Sequence, residues 1–348
     1  MKITIDNLGV VRHIEFDTQK PLSLFCGPNG TGKTYVAYVL DAIANNEVSF
    51  AYTTLTTFNN LTKTISLSDI LVVFKKAIED ILKRNLGNIF GVSDDFVLER
   101  FNNTIVDLSF SDSDIEIISK DLKNYFTIVK QNDVLIVEKV SPSKILFALS
   151  RCVKLLFNVR IFTVERNSIY TFERELSINR NDLVDKLMAL KDKNNVNLSE
   201  VLMNNSRRYP MAVRNGLKVA SDLLNVIKFR GDFYDVASDL EKLLRGRIEI
   251  SQYGGVEFIV GDNIALPIQL SSSIVKTMSS LVLYLKYIVK KGDTLIIDEP
   301  EMNLHPDNQI LLARIFAQMV NMGIKLVIST HSDYIIREFN NLIMLSGV

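Results

Sequence analysis

Gly27-Pro28-Asn29-Gly30-Thr31-Gly32-Lys33-Thr34 is the stretch on which the reading of this chain turns. It fits the spacing G-x-x-x-x-G-K-[ST]. The apolar run Leu22–Cys26 precedes it, and the breaker-free segment Tyr35–Ile43 follows it. Strand, glycine-rich turn and helix, in that order, are the context a phosphate loop requires. Glycines let successive backbone N–H groups turn inward around phosphate oxygens, and a helix N-terminus adds partial positive charge. Read this way, Asn29, Gly30, Thr31 and Gly32 cradle the phosphates of ATP. Lys33 reaches the β- and γ-phosphates, and the Thr34 hydroxyl ligates Mg²⁺.

A second cluster lies near the C-terminal end of the sequence. Thr294-Leu295-Ile296-Ile297-Asp298-Glu299-Pro300 is an apolar strand that ends in two acids. Buried carboxylates are costly unless they meet a cation or water. In a phosphate-loop site Asp298 holds the Mg²⁺ shell, directly or through water, and Glu299 polarises the attacking water. Glu301-Met302-Asn303-Leu304-His305-Pro306 follows, and the apolar run Leu326–Ser329 ends in Thr330-His331-Ser332. The chain has three histidines: His13, His305 and His331. His331 stands at the C-terminal end of a predicted parallel strand, where open α/β sheets bind ligands. There it can donate a hydrogen bond to the γ-phosphate or to the attacking water. His305 serves equally well as a ligand contact or as a cap.

The rest of the chain is read outward from these two clusters. Its 348 residues, 47% of them hydrophobic, suffice for one large domain with insertions. Forty basic and forty acidic residues cancel, so the chain as a whole offers a polyanion no excess of positive charge. Cys26 and Cys152 lack disulfide or metal-site spacing and sit in apolar runs, where a buried thiol is expected. The N-terminus opens on a strand-like segment with no leader pattern. The apolar stretch near Leu281–Val289 is interrupted by Lys286 and is shorter than the ~20 residues of a bilayer span. A soluble, cytoplasmic protein in a reducing compartment is the expectation.

Strands are expected at Ile3–Ile5, Val11–Phe16 and Leu22–Cys26, with an amphipathic helix over 66–87. Short β-rich runs follow at Thr104–Phe110, Asp114–Ile118, Tyr125–Lys130 and Asp133–Val140, in the manner of an antiparallel meander. A helix over 142–157 leads to a strand at Val159–Val164, and 180–245 reads as mostly helical. Arg247–Ser251 and Val256–Val260 form a hairpin through Gly254-Gly255. Beyond it, helix Ile274–Lys290, strand Thr294–Ile297, helix Asp307–Val320, strand Lys325–Ser329, a helix from about Asp333 and a last strand Leu342–Leu345 alternate. That rhythm predicts an α/β fold with a doubly wound, mainly parallel sheet, an antiparallel β subdomain and helical insertions. The expected division is a core of 1–52 and 245–348, a helical and β-meander insertion over 53–160, a core strand within 161–175 and a helical insertion over 176–244.

These motifs together resemble the ABC-type ATPase heads of the SMC, RecF and OLD (overcoming-lysogenization-defect) group, and in particular the AAA-type ATPases of bacterial anti-phage defence. The carriers are Gly27–Thr34, Asp298-Glu299-Pro300-Glu301 with Leu304-His305-Pro306, and Ser329-Thr330-His331-Ser332. The resemblance covers roughly 1–50 and 245–348. It implies a head-to-tail homodimer, or a higher oligomer, that sandwiches ATP and Mg²⁺ and hydrolyses the nucleotide with Glu299 and His331. The phosphate loop of one copy then faces a serine turn of the other, here Leu270-Ser271-Ser272-Ser273-Ile274-Val275-Lys276, with Ser271 and Ser272 on the γ-phosphate. Ser273 and Lys276 depart from the glycine and glutamine common in the family, and a plain serine N-cap accounts for the same residues.

The resemblance also implies that Arg12, with His13, flanks the adenine or ribose. Phe162-Thr163-Val164-Glu165-Arg166-Asn167-Ser168 looks like an element that brings Glu165 and Arg166 near the nucleotide; an ordinary surface ion pair fits as well. A separate effector, a nuclease or toxin, is the implied partner, with no membrane. A DNA-clamping repair ATPase using Arg207-Arg208 and Lys242–Arg247 is one alternative, and a nucleotide-sensing scaffold with little turnover is another.

Overall fold

The computed structural model describes residues 1–45, 64–131, 134–138, 142–171, 209–221, 230–261 and 264–346. Most of the predicted insertion over 176–244, Arg207-Arg208 included, lies outside them. The chain divides into two compact units.

The first unit comprises residues 1–20 and 29–159. Strands β1 (Lys2–Leu8), β2 (Val11–Asp17) and β5 (Ile105–Ser109) form one antiparallel sheet in the order β2-β1-β5. The short β4 (Thr64–Ser66) joins β6 (Thr127–Gln131) and β7 (Val134–Glu138) in a second, ordered β4-β7-β6. The expected meander is therefore split, because β5 pairs with β1.

Helices pack around these sheets: α1 (Lys33–Asn45), α2 (Leu67–Phe90), α3 (Asp94–Arg100), α4 (Asp112–Leu122) and α5 (Pro142–Leu156). Helix α4 corrects the strand expected at Asp114–Ile118. Ser111 accepts from the Asp114 amide while the Asp114 carboxylate accepts from the Ser111 amide, a capping box that starts a helix. Ile118 and Leu122, one turn apart, then share the buried face. Tyr35, Phe90 and Phe101 form an aromatic cluster beside α1, with the Phe90 and Phe101 rings stacked at 4.8 Å.

The second unit comprises residues 21–28 and 160–348. Its centre is a four-stranded sheet ordered β3-β13-β12-β8, built from β3 (Leu22–Cys26), β8 (Val159–Phe162), β12 (Thr294–Asp298) and β13 (Lys325–Thr330). Strand β13 runs parallel to both β3 and β12, in the register Thr330↔Cys26 and Asp298↔Ser329. β12 is buried along its whole length, as its unbroken apolar run requires for a strand covered on both faces.

Helices α7 (Tyr234–Leu244), α8 (Ser273–Tyr287) and α9 (Pro306–Asn321) contribute to the same core, with Leu240, Leu281, Leu312 and Phe316 packed against Leu295 and Ile328. Helix α6 (Met211–Ser221) precedes α7 in this unit, and β9 (Arg247–Ile250), β10 (Val256–Val260) and β11 (Ile264–Pro267) form an antiparallel sheet. The Lys286 ammonium donates to Glu241 at 2.6 Å and to the Ile248 carbonyl at 2.8 Å, a buried strut between α8, α7 and β9.

The last strand expected at Leu342–Leu345 is instead the end of α10 (Asp333–Ser346). Ile335 and Phe339, four apart, are buried, while Ile343, Met344 and Leu345 are exposed. The anchored helical stripe sets the conformation, and the apolar run at its end continues it. No described helix is long and apolar enough to cross a membrane.

Candidate functional site

The phosphate loop has the backbone its glycines allow. Gly30 and Gly32 both take positive φ, 81° and 87°. A Cβ at Gly30 would meet no atom of the described residues within 4 Å, so it is the backbone conformation that selects glycine there. At Gly32 a Cβ would come within 2.5 Å of the Val11 side chain, so space and conformation both exclude one. Asn29, Gly30 and Thr31 are exposed. Helix α1 starts at Lys33, and its first turn carries no acidic residue, so its N-terminal amides keep their field for an anion. Positive-φ glycines leading into a helix N-terminus whose first turn carries no acid suit a polyphosphate.

The carboxylate cluster is built wholly in the second unit. The parallel register brings the C-terminal ends of β3, β13 and β12 to one edge of the sheet, carrying respectively the start of the phosphate loop, Thr330-His331 and Asp298-Glu299. Asp298 is fully buried, and the Ser329 hydroxyl donates to its Oδ1. Glu299 adopts φ 47°, the left-handed region, which costs a non-glycine residue about 1–3 kcal/mol. Its amide donates to the Ser329 carbonyl at 2.9 Å, holding the turn. Its side chain stays partly accessible, and its Oε1 lies 3.8 Å from His331 Nδ1. A partly accessible carboxylate on a strained, clamped backbone beside an imidazole has the geometry for general-base work on water.

Two residues hold this cluster in place: Arg166, which the resemblance brings near the nucleotide, and Glu301, which has no role of its own in the sequence reading. Arg166, 2% exposed, donates to the carbonyls of Thr163 at 2.9 Å, Asp298 at 2.5 Å and Glu299 at 2.7 Å. Its guanidinium thus staples the end of β12 to the segment after β8. Burial draws its pKa down to about 10, against the opposing pull of Asp298, Glu301 and Glu299, so it remains a cation. The surface ion pair expected as one reading of Glu165-Arg166 is corrected: Glu165 is exposed, while Arg166 is interior and bonds backbone.

Glu301 is the second such residue. Its Oε1 accepts from the Thr330 hydroxyl at 2.7 Å and the His331 amide at 2.8 Å, and lies 3.3 Å from His331 Nδ1. The signal for Glu301 was its place in the D-E-P-E run. The signal for Arg166 was the likeness of Phe162–Ser168 to an element near the nucleotide, but nothing local shows that two of its three carbonyl partners lie more than a hundred residues away.

The remaining expected residues fall as follows. Ser272 is the N-cap of α8 with no side-chain cap bond, and it and Ser273 are exposed beside Leu270, itself 75% exposed. Ser271 is buried, and among the described residues its Oγ has no hydrogen-bond partner. Asn303, at φ 65°, donates to the Thr277 hydroxyl at 3.1 Å, tying the loop after Glu299 to α8.

Arg12 and His13 lie on β2, within the strand expected over Val11–Phe16. Both are exposed, and His13 pairs with Asp6 at 2.6 Å. The cross-strand register Asp6↔His13 draws them into the ladder. His305 caps α9 through its Nδ1, ahead of Pro306 at the first helical position, so its capping reading holds. Cys26 is exposed rather than buried, because it is the last residue of β3; Cys152 is buried as expected. Of the basic stretch, Lys242 pairs with Asp239 and Arg247 with Glu249, as solvated surface charges do.

Compared with known proteins, the chain matches the model of a family described as AAA ATPase domain, over residues 1–228 and 165–336. No curated protein matches it. Among solved structures, an SMC head described as bound to the C-winged helix domain of ScpA aligns at 12% identity, covering 97% of this chain and 91% of that one. Its TM-score is 0.38.

Proposed function

Because the chain belongs to the AAA ATPase domain family and is an ATPase, we propose that it works as an ABC-type switch in which two copies close head to tail around ATP and Mg²⁺. The observation that supports this most is the shared edge of β3, β13 and β12, where the start of the phosphate loop, the histidine and the carboxylate pair converge.

In this reading the amides of Asn29, Gly30, Thr31 and Gly32 hold the phosphates and Lys33 neutralises them. Thr34 and Asp298 hold Mg²⁺, and the donor set fits: a hydroxyl and one carboxylate leave the remaining positions to phosphates and water, as that ion prefers. The metal supplies charge neutralisation on the phosphates. Glu299 takes a proton from the attacking water, and His331, steadied by Glu301, donates to the γ-phosphate or orients that water.

The exposed Ser272, with Ser271 behind it at the start of α8, offers hydroxyls and helix amides to the nucleotide of the second copy. Exposed Leu270 suits burial in such an interface. Arg12 sits on an exposed strand face and flanks the base or ribose. The switch controls a separate effector, a nuclease or toxin, in anti-phage defence.

Steady-state hydrolysis and light scattering on wild type and Glu299→Gln test the proposal. Expected are turnover lost in the variant and a doubled mass with ATP. Unaltered turnover in Glu299→Gln, or a mass that ATP leaves unchanged, rejects it. A nucleotide-sensing scaffold is the second reading. It is favoured by Ser273 at the first position of α8, where a side chain replaces the glycine that close backbone approach wants.

A further inference from the structure

Glu301 and His331 meet at the edge of the central sheet, one on the loop after β12 and the other just past β13. Glu301 is buried, and its two carboxylate oxygens are used unequally. Oε2 is buried and, among the described residues, has no hydrogen-bond partner. Oε1 accepts from the Thr330 hydroxyl at 2.7 Å and from the His331 amide at 2.8 Å. The Thr330 hydroxyl itself accepts from the Ser332 amide at 3.0 Å, so its own proton goes to Glu301. Unsatisfied buried oxygens are costly and uncommon. This carboxylate leaves one, and gathers its donors on the other.

Beside those two donors, Oε1 also faces the His331 ring. Nδ1 lies 3.3 Å from it and 3.8 Å from Glu299 Oε1. Nε2 has no partner among the described residues, and the side chain is half-exposed. An oxygen that already accepts twice offers Nδ1 no proton, and a lone pair on Nδ1 would point its negative charge at two carboxylates. The proton therefore belongs on Nδ1. The same Oε1 holds the His331 amide, so main chain and ring are fixed by one atom. We propose that Glu301 is a positioning residue acting through His331: it keeps the proton of the neutral ring on Nδ1 and leaves Nε2 as a bare acceptor. This rests on the assignment of His331 to ATP hydrolysis, and it chooses between the two roles given there. A lone pair on Nε2 accepts a hydrogen bond from the attacking water. It cannot donate to the γ-phosphate until the ring takes a second proton. Orienting the water is the role the neutral ring fills.

The test joins ¹⁵N NMR of the histidine-labelled full chain, without nucleotide, to steady-state ATP hydrolysis. The chain has three histidines, and His331→Ala identifies the signals of interest. In the neutral ring of the wild type the proton is expected on Nδ1, the reverse of the preference of a free histidine side chain. Glu301→Gln keeps an acceptor oxygen for Thr330 and the His331 amide but removes the charge. It should move the balance towards a proton on Nε2 and lower kcat at least about tenfold, with KM within about twofold. Added to His331→Ala, the same substitution should lower kcat no further. A proton on Nε2 in the wild type overturns the proposal, and that spectrum needs no Glu301 variant to fold. Unchanged kcat in Glu301→Gln, a lower kcat with the proton still on Nδ1, or losses that add in the double variant also overturn it. Wild-type kcat in His331→Ala removes the assignment on which the proposal rests, and the proposal with it; the other outcomes leave that assignment standing.

Discussion

Replacing Arg166 by methionine should loosen the turn that carries Asp298 and Glu299. The side chain makes three hydrogen bonds to buried carbonyls, at 2.5, 2.7 and 2.9 Å. Bonds from a charged donor contribute about 1.5–3 kcal/mol each. Against that stands the recovered cost of burying a guanidinium, several kcal/mol. Methionine fills much of the volume but satisfies none of the carbonyls, and it leaves Asp298 and Glu301 without their interior cation. The balance is a loss of about 3–5 kcal/mol, the usual cost of removing one partner of a buried ionic network. For a unit of this size that lowers the thermal midpoint by roughly 10 °C.

Arg166→Lys keeps the charge but replaces the fork with a single ammonium on a shorter reach, so it should fall between the two. Calorimetry reads the stability, and steady-state ATP hydrolysis reads the second consequence. With the Glu299 carbonyl released, kcat in Arg166→Lys should drop at least about tenfold, while nucleotide affinity, set at the phosphate loop, changes little. An Arg166→Met chain within about 1 kcal/mol of wild type and with undiminished kcat would refute the reasoning.

Three other outcomes are expected. Lys33→Ala should abolish ATP binding measured by calorimetric titration, because the phosphates lose their cation; wild-type affinity would sink the loop assignment. Lys286→Met should cost about 3–5 kcal/mol in denaturant unfolding, since it strands Glu241 in the interior, and the double variant with Glu241→Leu should regain most of that. Burial beside Asp121 pushes the Cys152 thiol from its ordinary 9.0 up to about 12. The fold thus favours the neutral thiol, a contribution that is full below pH 9 and lost as pH rises from 9 towards 12. At pH 8 iodoacetamide should label Cys26 alone, with Cys152 reacting only after denaturation; two labels on the folded chain would contradict this.

Local chemistry settled much of this protein in advance. Glycine at 30 and 32 reads directly as positive φ, because only a residue without a Cβ meets the conformational demand there, and at Gly32 the spatial one too. The apolar run Thr294–Ile297 reads as a buried strand, and proline after His305 as a helix start, because each signal acts within a few residues. Segments with competing local signals went the other way. Asp114–Ile118 alternates like a strand, but Ser111 and Asp114 cap a helix, and Leu342–Leu345 is apolar like a strand yet extends a helix already anchored by Ile335 and Phe339.

What only the tertiary structure decided is who supports the chemistry. Arg166 reads equally as a residue near the nucleotide or as half of a surface ion pair until the fold sets three carbonyls around it, and Glu301 reads as part of a motif until Thr330 and the His331 amide meet its carboxylate. The strand order β3-β13-β12, which lines up the start of the phosphate loop, the histidine and the acids, is likewise absent from any local pattern. The physical reason is common to all three. Backbone propensity and capping act over one or two turns of chain, whereas the hydrogen bonds of a buried polar group are closed by whatever the fold brings within about 3 Å of it, however distant in sequence.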